Sequence, residues 1–144
     1  MGVLPWSPLA GGWLTGRYRK GHDIPTSRRA QMLPGRYDLS DPGNQRKFDA
    51  ADALAGLADK AGISLIHLAL AFVLAHPAVT APIIGPRTME HLDSQLGAAD
   101  IVLSTEVLDQ IDEIVAPGVT LSRSDAGYLA PALEDPFLRR RRTT

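Results

Sequence analysis

The chain has 144 residues, 44% of them hydrophobic and 22% charged, with a formal net charge of −1 and no cysteine. That composition fits one soluble globular domain and excludes a chain disordered throughout. The near-neutral charge offers no global case for nucleic acid or an anionic membrane. The lack of cysteine excludes disulfides and thiolate metal sites and agrees with a cytoplasmic setting.

Residues 2–7 predict a short strand, at an edge or bulge because Pro5 lacks a ladder donor. This apolar start has no basic leader and is broken by Pro5 and Pro8, so it is not read as a signal peptide. It follows Met1 directly, without a polar lead-in, and we expect a chain cut inside a domain. Residues 8–12 form a loop, where Gly11 and Gly12 permit positive φ or close backbone approach; a helical turn over 13–18 follows. Residues 19–46 are a long polar excursion with one short helix near 27–33.

Over residues 46–61, Phe48, Ala51, Leu54, Ala55, Ala58 and Ala61 recur at helical spacing, and Gly62 supplies a stop. Ser64 caps a helix to about His76, closed by Pro77, with Leu65, Leu68, Ala69, Phe72 and Val73 as its apolar stripe. Its apolar run, 65–75, is too short to span a bilayer. Residues 79–84 predict a strand, ended by Gly85 and Pro86, and Thr88 caps a helix through about Leu96. Ser104 or Thr105 caps the last clear helix, to about Ala116, burying Val107, Leu108, Ile111, Ile114 and Val115. Residues 117–144 read as irregular, and the basic run 139–142 as a solvated tail. Two strands separated by helices predict parallel pairing through a right-handed crossover. Two strands alone leave open edges, so the rest of the sheet comes from elsewhere, or the edges drive self-association.

Two segments carry candidate chemistry. In the first, a strand tip opens into a glycine-rich loop: Ser7 offers a hydroxyl, the loop offers backbone N–H groups and Arg17 a fixed charge, the parts that hold a pyrophosphate. As bare chemistry the signal is weak, and on composition alone a structural turn is the favoured reading of the same residues. In the second, Gly85 turns the chain into a capped helix whose N-terminus suits phosphate. Arg87 can fork onto a phosphate monoester, and Arg87, His91 and Gln95 are spaced to share one helix face. A solvated helix face remains the alternative. Both segments lie at carboxyl ends of parallel strands, the active-site end of (β/α)₈ barrels.

Taken together, Trp6-Ser7-Pro8-Leu9-Ala10-Gly11-Gly12, Leu14-Thr15-Gly16-Arg17-Tyr18 and Ile83-Ile84-Gly85-Pro86-Arg87 resemble the seventh and eighth strands of aldo-keto reductases. The branch most similar is the bacterial one related to potassium-channel β subunits. The resemblance covers roughly residues 2–118. It implies an α/β fold, the C-terminal fragment of a (β/α)₈ TIM barrel: the last two strands, their helices and the C-terminal helix over 1–118, then a C-terminal loop and basic tail over 119–144. It implies an NADPH-dependent reductase of aldehydes and ketones.

By position, the resemblance puts Trp6 against the nicotinamide, Ser7 and Leu9 along the pyrophosphate, and Gly11 and Gly12 at its backbone approach. It puts Arg17 on the bridging phosphates and Arg28 at a further cofactor contact. Gly85, Arg87, His91, Ser94 and Gln95 match the positions around the 2′-phosphate, ribose and adenine. His91 and Gln95 depart from the commoner Gln and Asn there, and Arg87 stands where a small hydroxyl residue is also common. A charge facing a 2′-phosphate favours NADPH.

The family's catalytic Asp, Tyr, Lys and His come from the first barrel half, and no residue here matches them. Tyr18, Tyr37 and Tyr128 occupy unrelated places, and Tyr18 with Lys20 reads as loop structure. His22, His67 and His76 lack metal-type spacing. We therefore expect a truncated reductase that acts on a carbonyl substrate only when completed. The alternatives are a non-catalytic NADPH-binding or interaction module and a small helical domain that self-associates.

Overall fold

The computed structural model describes residues 2–24, 26–122, 125, 131 and 135–139. Its helices are α1 (Arg28–Met32), α2 (Pro42–Lys60), α3 (Leu65–Ala75), α4 (Met89–Leu96), α5 (Thr105–Ile114) and α6 (Pro136–Arg139). The 3₁₀ segments Ala10–Thr15, Pro34–Arg36 and Gly97–Asp100 lie among them.

The helix starts follow from local caps. Ser64, Thr88 and Ser104 each accept from the backbone N–H three residues on, at 3.1, 3.2 and 3.4 Å, as their sequence context predicts. Of the two cap candidates before α5, the structure selects Ser104. The helix α2 starts earlier than its apolar periodicity. Asp41 accepts from the N–H groups of Gly43 and Asn44 at 2.8 and 3.0 Å, and Pro42 takes the first helical position. The same Asp-Pro device begins α6, where Asp135 accepts from Phe137 N–H at 2.8 Å. The irregular reading of residues 117–144 is corrected there; of the basic run, residues 140–142 lie outside the described residues, as does Tyr128.

Apolar faces then pack. Ala55, Leu57 and Ala58 of α2 meet Leu65 and Leu68 of α3 and Ile111 of α5. Leu68 is 2% exposed, and its full burial is worth about 1.5–3 kcal/mol. The α2–α3 break turns the chain by 93°, and Gly62 holds φ 69° at it, a conformation costly for any residue with a Cβ. Among the described residues no single helix is long and apolar enough to cross a membrane.

The polar excursion is more ordered than its composition predicts. Asn44 is fully buried, and its Nδ2 donates to the carbonyls of Gly35 and Asp38 at 2.9 and 2.8 Å. Lys47 Nζ donates to the Arg36 carbonyl at 2.8 Å and pairs with Asp125. These two α2 side chains fasten the 34–38 turn, which sets Tyr37 against Trp13 and Tyr18 in a second apolar cluster with Phe48.

The two predicted strands are corrected. Segments 2–7 and 79–84 run parallel, as expected, but meet only through isolated bridges, Val3 with Val79 and Trp6 with Ile83, and no strand forms among the described residues. The bridges are three residues apart on one segment and four on the other, so an extra residue bulges the second. Pro5 and Pro82 each remove a ladder donor. Three hydrogen bonds remain: Val3 N–H to Ala78 O at 2.8 Å, Thr80 N–H to Val3 O at 2.8 Å and Ile83 N–H to Pro5 O at 2.7 Å.

Candidate functional site

The Trp6–Ile83 bridge places the ends of both segments side by side, and a cleft of about 540 Å³ opens beyond them. That volume lies in the range of small-molecule sites. One wall is the loop after Trp6. Ser7 has φ 56° and Ala10 φ 48°, followed by Gly11 at 69° and Gly12 at 107°. Positive φ at residues other than glycine costs of order 1–3 kcal/mol and persists where surrounding structure holds it. Turn bonds do so here: Ala10 N–H donates to Ser7 O at 2.9 Å and Gly12 N–H to Leu9 O at 2.8 Å. The Thr15 hydroxyl donates to Gly12 O at 2.7 Å, and the Tyr37 hydroxyl to Gly11 O at 2.8 Å.

All twelve residues singled out in the sequence line this one cleft. Trp6, Ser7, Leu9, Gly11, Gly12 and Arg17 come from the first loop, and Arg28 from α1. Gly85 and Arg87 come from the turn before α4, and His91, Ser94 and Gln95 from α4 itself. Trp6 is 76% exposed at the rim. Arg87 is not on the helix face that spacing predicted. Thr88 is extended, at φ −135° and ψ 161°, so the helical count begins only at Met89. Arg87 reaches the same cleft from the approach to the helix. On α4, the Gln95 amide nitrogen and the Ser94 hydroxyl donate to His91 O at 2.8 and 2.9 Å, so their donors serve the helix and Gln95 Oε1 stays available as an acceptor.

The electrostatics are one-sided. Arg17, Arg28, Arg29 and Arg87 line the cleft, and among the described residues no Asp or Glu does. Among the described residues none of these four makes an ion pair, whereas Arg19, Lys20, Arg36 and Lys47 all do. Four unpaired guanidiniums in one concavity repel each other and raise the local concentration of anions. The donor set suits phosphate, which guanidinium binds bidentately.

Sequence reasoning passed over Ser27, Arg29 and Ile66, which also line the cleft. Arg29 follows Arg28 directly and carried the same charge signal; Ile66 carried none, since only the packing of α3 brings it there. Tyr18 is 4% exposed and packs on Trp13 with ring centroids 4.3 Å apart and the planes tilted by 31°, while Lys20 pairs with Asp49 at 2.8 Å, so the Tyr18–Lys20 pair does not form. Burial pushes the Tyr18 hydroxyl above its ordinary pKa, opposed by a hydrogen bond with Ser27 and the Arg17 charge. Among the described residues no group of three His, Asp or Glu side chains could hold a metal.

The aldo/keto reductase family model matches residues 1–116. The chain belongs to the aldo/keto reductase family. Family membership implies the (β/α)₈ barrel architecture, and the family generally uses NAD(P)H. This aldo/keto reductase chain is 36% identical over 115 residues to the uncharacterized oxidoreductase YrpG of Bacillus subtilis, covering 79% of this chain and 32% of the relative. It is 31% identical over 121 residues to a probable voltage-gated potassium channel subunit beta of Arabidopsis thaliana, covering 80% and 35%. A putative channel subunit beta of Schizosaccharomyces pombe is 32% identical over 120 residues, covering 79% and 34%. The chain thus spans about a third of the length of the curated relatives it matches. The resemblance to the branch related to potassium-channel β subunits is borne out.

Proposed function

We propose that this chain is the carboxyl-terminal, cofactor-holding part of an NADPH-dependent aldo-keto reductase barrel. In this reading residues 1–118 hold the two bridged segments, which become the last two barrel strands only when the rest of the sheet flanks them, with their helices, and 119–144 are the C-terminal loop and tail. One observation carries it: the twelve candidate residues share a single cleft with four guanidiniums that, among the described residues, meet no carboxylate. Arg17 holds the bridging phosphates beside the Gly11–Gly12 backbone, and Arg28 makes a further cofactor contact. Arg87, with His91 and Gln95, holds the 2′-phosphate and adenosine end. Trp6 faces the nicotinamide from the rim.

Bound NADPH supplies the hydride that reduces an aldehyde or ketone to an alcohol. The residues of this chain bind and orient; proton donation falls to the barrel half that completes the site. Tyr18 is assigned no such role: it is only 4% exposed and its ring packs against Trp13. The lack of cysteine supports a cytoplasmic setting.

Fluorescence titration of the 144-residue chain with NADPH and NADH tests the reading. Saturable binding with NADPH about tenfold or more tighter than NADH is expected, one phosphate contact being worth roughly 1.4 kcal/mol or more. No binding of either at millimolar concentration sinks it. Reduction of a carbonyl panel is expected only when the preceding barrel half is co-expressed.

A further inference from the structure

The glycine loop of the cleft is held from outside by one side chain. Among the described residues, the Tyr37 hydroxyl is the only side-chain group beyond the loop that bonds to residues 7–12; it donates to Gly11 O at 2.8 Å across 26 residues of sequence. The Thr15 bond to Gly12 O comes from within the same 3₁₀ segment. Tyr37 is itself fixed: its ring stacks on Trp13 at 5.5 Å with the planes 6° apart. The turn that carries it is clamped from α2 by Asn44 and Lys47. The space is tight. A Cβ on Gly11 would lie 3.0 Å from the Tyr37 hydroxyl, so only glycine lets the two groups meet unstrained.

We infer that Tyr37 is a positioning residue for the cofactor cleft. Its hydroxyl holds Gly11 O and thereby keeps the left-handed run of Ala10, Gly11 and Gly12 in the conformation that lines the cleft. This inference rests on the cofactor reading above. A strained loop relaxes when its tether is lost, and a relaxed loop must be re-ordered at every binding event. The hold is on the part of the cleft common to both nicotinamide cofactors. It is remote in sequence from Arg87, which faces the end where the two differ.

Tyr37→Phe tests this, since it keeps the ring stack and removes only the hydroxyl. In fluorescence titration, the dissociation constants for NADPH and NADH are expected to rise by the same factor, about fivefold to tenfold, leaving their ratio unchanged. Wild-type affinity in the variant overturns the inference, and so does a changed ratio. A second arm needs no cofactor. Hydrogen exchange of the amides in residues 10–14 is expected to quicken about tenfold in the variant while α2 and α3 keep wild-type protection. Unchanged loop exchange overturns the inference. Exchange that quickens everywhere also overturns it, by showing general destabilisation. A wild-type chain that binds neither cofactor defeats the cofactor reading instead, and the exchange arm still decides whether Tyr37 holds the loop.

Discussion

Lys47 Nζ lies 5.0 Å from the centre of the Trp13 ring and donates at 2.8 Å to the Arg36 carbonyl, while pairing with Asp125. One lysine side chain, only 9% exposed, thus joins α2, the 34–38 turn, the C-terminal segment and the aromatic cluster beneath the glycine loop. Lys47→Met keeps most of the apolar stem but drops every polar contact. It is expected to lower the unfolding free energy by about 2–3 kcal/mol. Urea denaturation checks this through a lower midpoint at constant slope.

Asn44→Ala removes two donors from a fully buried position and leaves the Gly35 and Asp38 carbonyls without them. A loss of about 2–3 kcal/mol is expected. Because the turn carries Tyr37, proteolysis within residues 34–38 is expected to quicken before cleavage appears in α3. Equal protection of both regions would contradict the clamp.

Arg87→Ala removes the one arginine that reaches the cleft from the approach to α4. Titration is expected to show NADPH affinity down about tenfold or more with NADH nearly unchanged, and a shallower salt dependence for NADPH. Equal loss for both cofactors would place Arg87 away from the 2′-phosphate.

Tyr18 and Tyr37 are both pushed above the ordinary tyrosine pKa, first by burial. For Tyr37 the neighbouring Tyr18 adds to the rise, and Arg29 opposes it. The folded state therefore holds these protons more tightly than the unfolded chain. Their contribution to stability is intact below the unfolded value, about 10, and is lost as pH rises through the raised values. Phenolate absorbance followed with pH is expected to show two tyrosines titrating late, together with alkaline unfolding. Normal titration of all three of the chain's tyrosines would refute the burial argument.

Much of this architecture was legible locally. Ser64, Thr88 and Ser104 announced three helices because a cap is a short-range bond between neighbours. The Asp-Pro starts at Asp41 and Asp135 were equally local and went unread, because apolar periodicity begins only later in α2 and α6 is too short to have any. The strands failed for a reason also present in the sequence: Pro5 and Pro82 deplete a ladder that has only two segments among the described residues.

The sequence by itself determined the helix caps, the glycines and the family, since each depends on a few adjacent residues or on a motif in order. It also named twelve cleft residues. Only the tertiary structure decided that they converge, because that depends on two bridges linking residues more than seventy positions apart. It alone showed that Arg87 reaches the cleft from extended backbone rather than from the helix face. It alone paired Arg19, Lys20, Arg36 and Lys47 with carboxylates while leaving the four cleft guanidiniums without an ion pair among the described residues. Charge counting cannot foresee this, because which carboxylate meets which cation is a matter of packing. The glycine loop read from sequence as a permissive turn; the fold ties it to Tyr37 through a bond no spacing rule encodes.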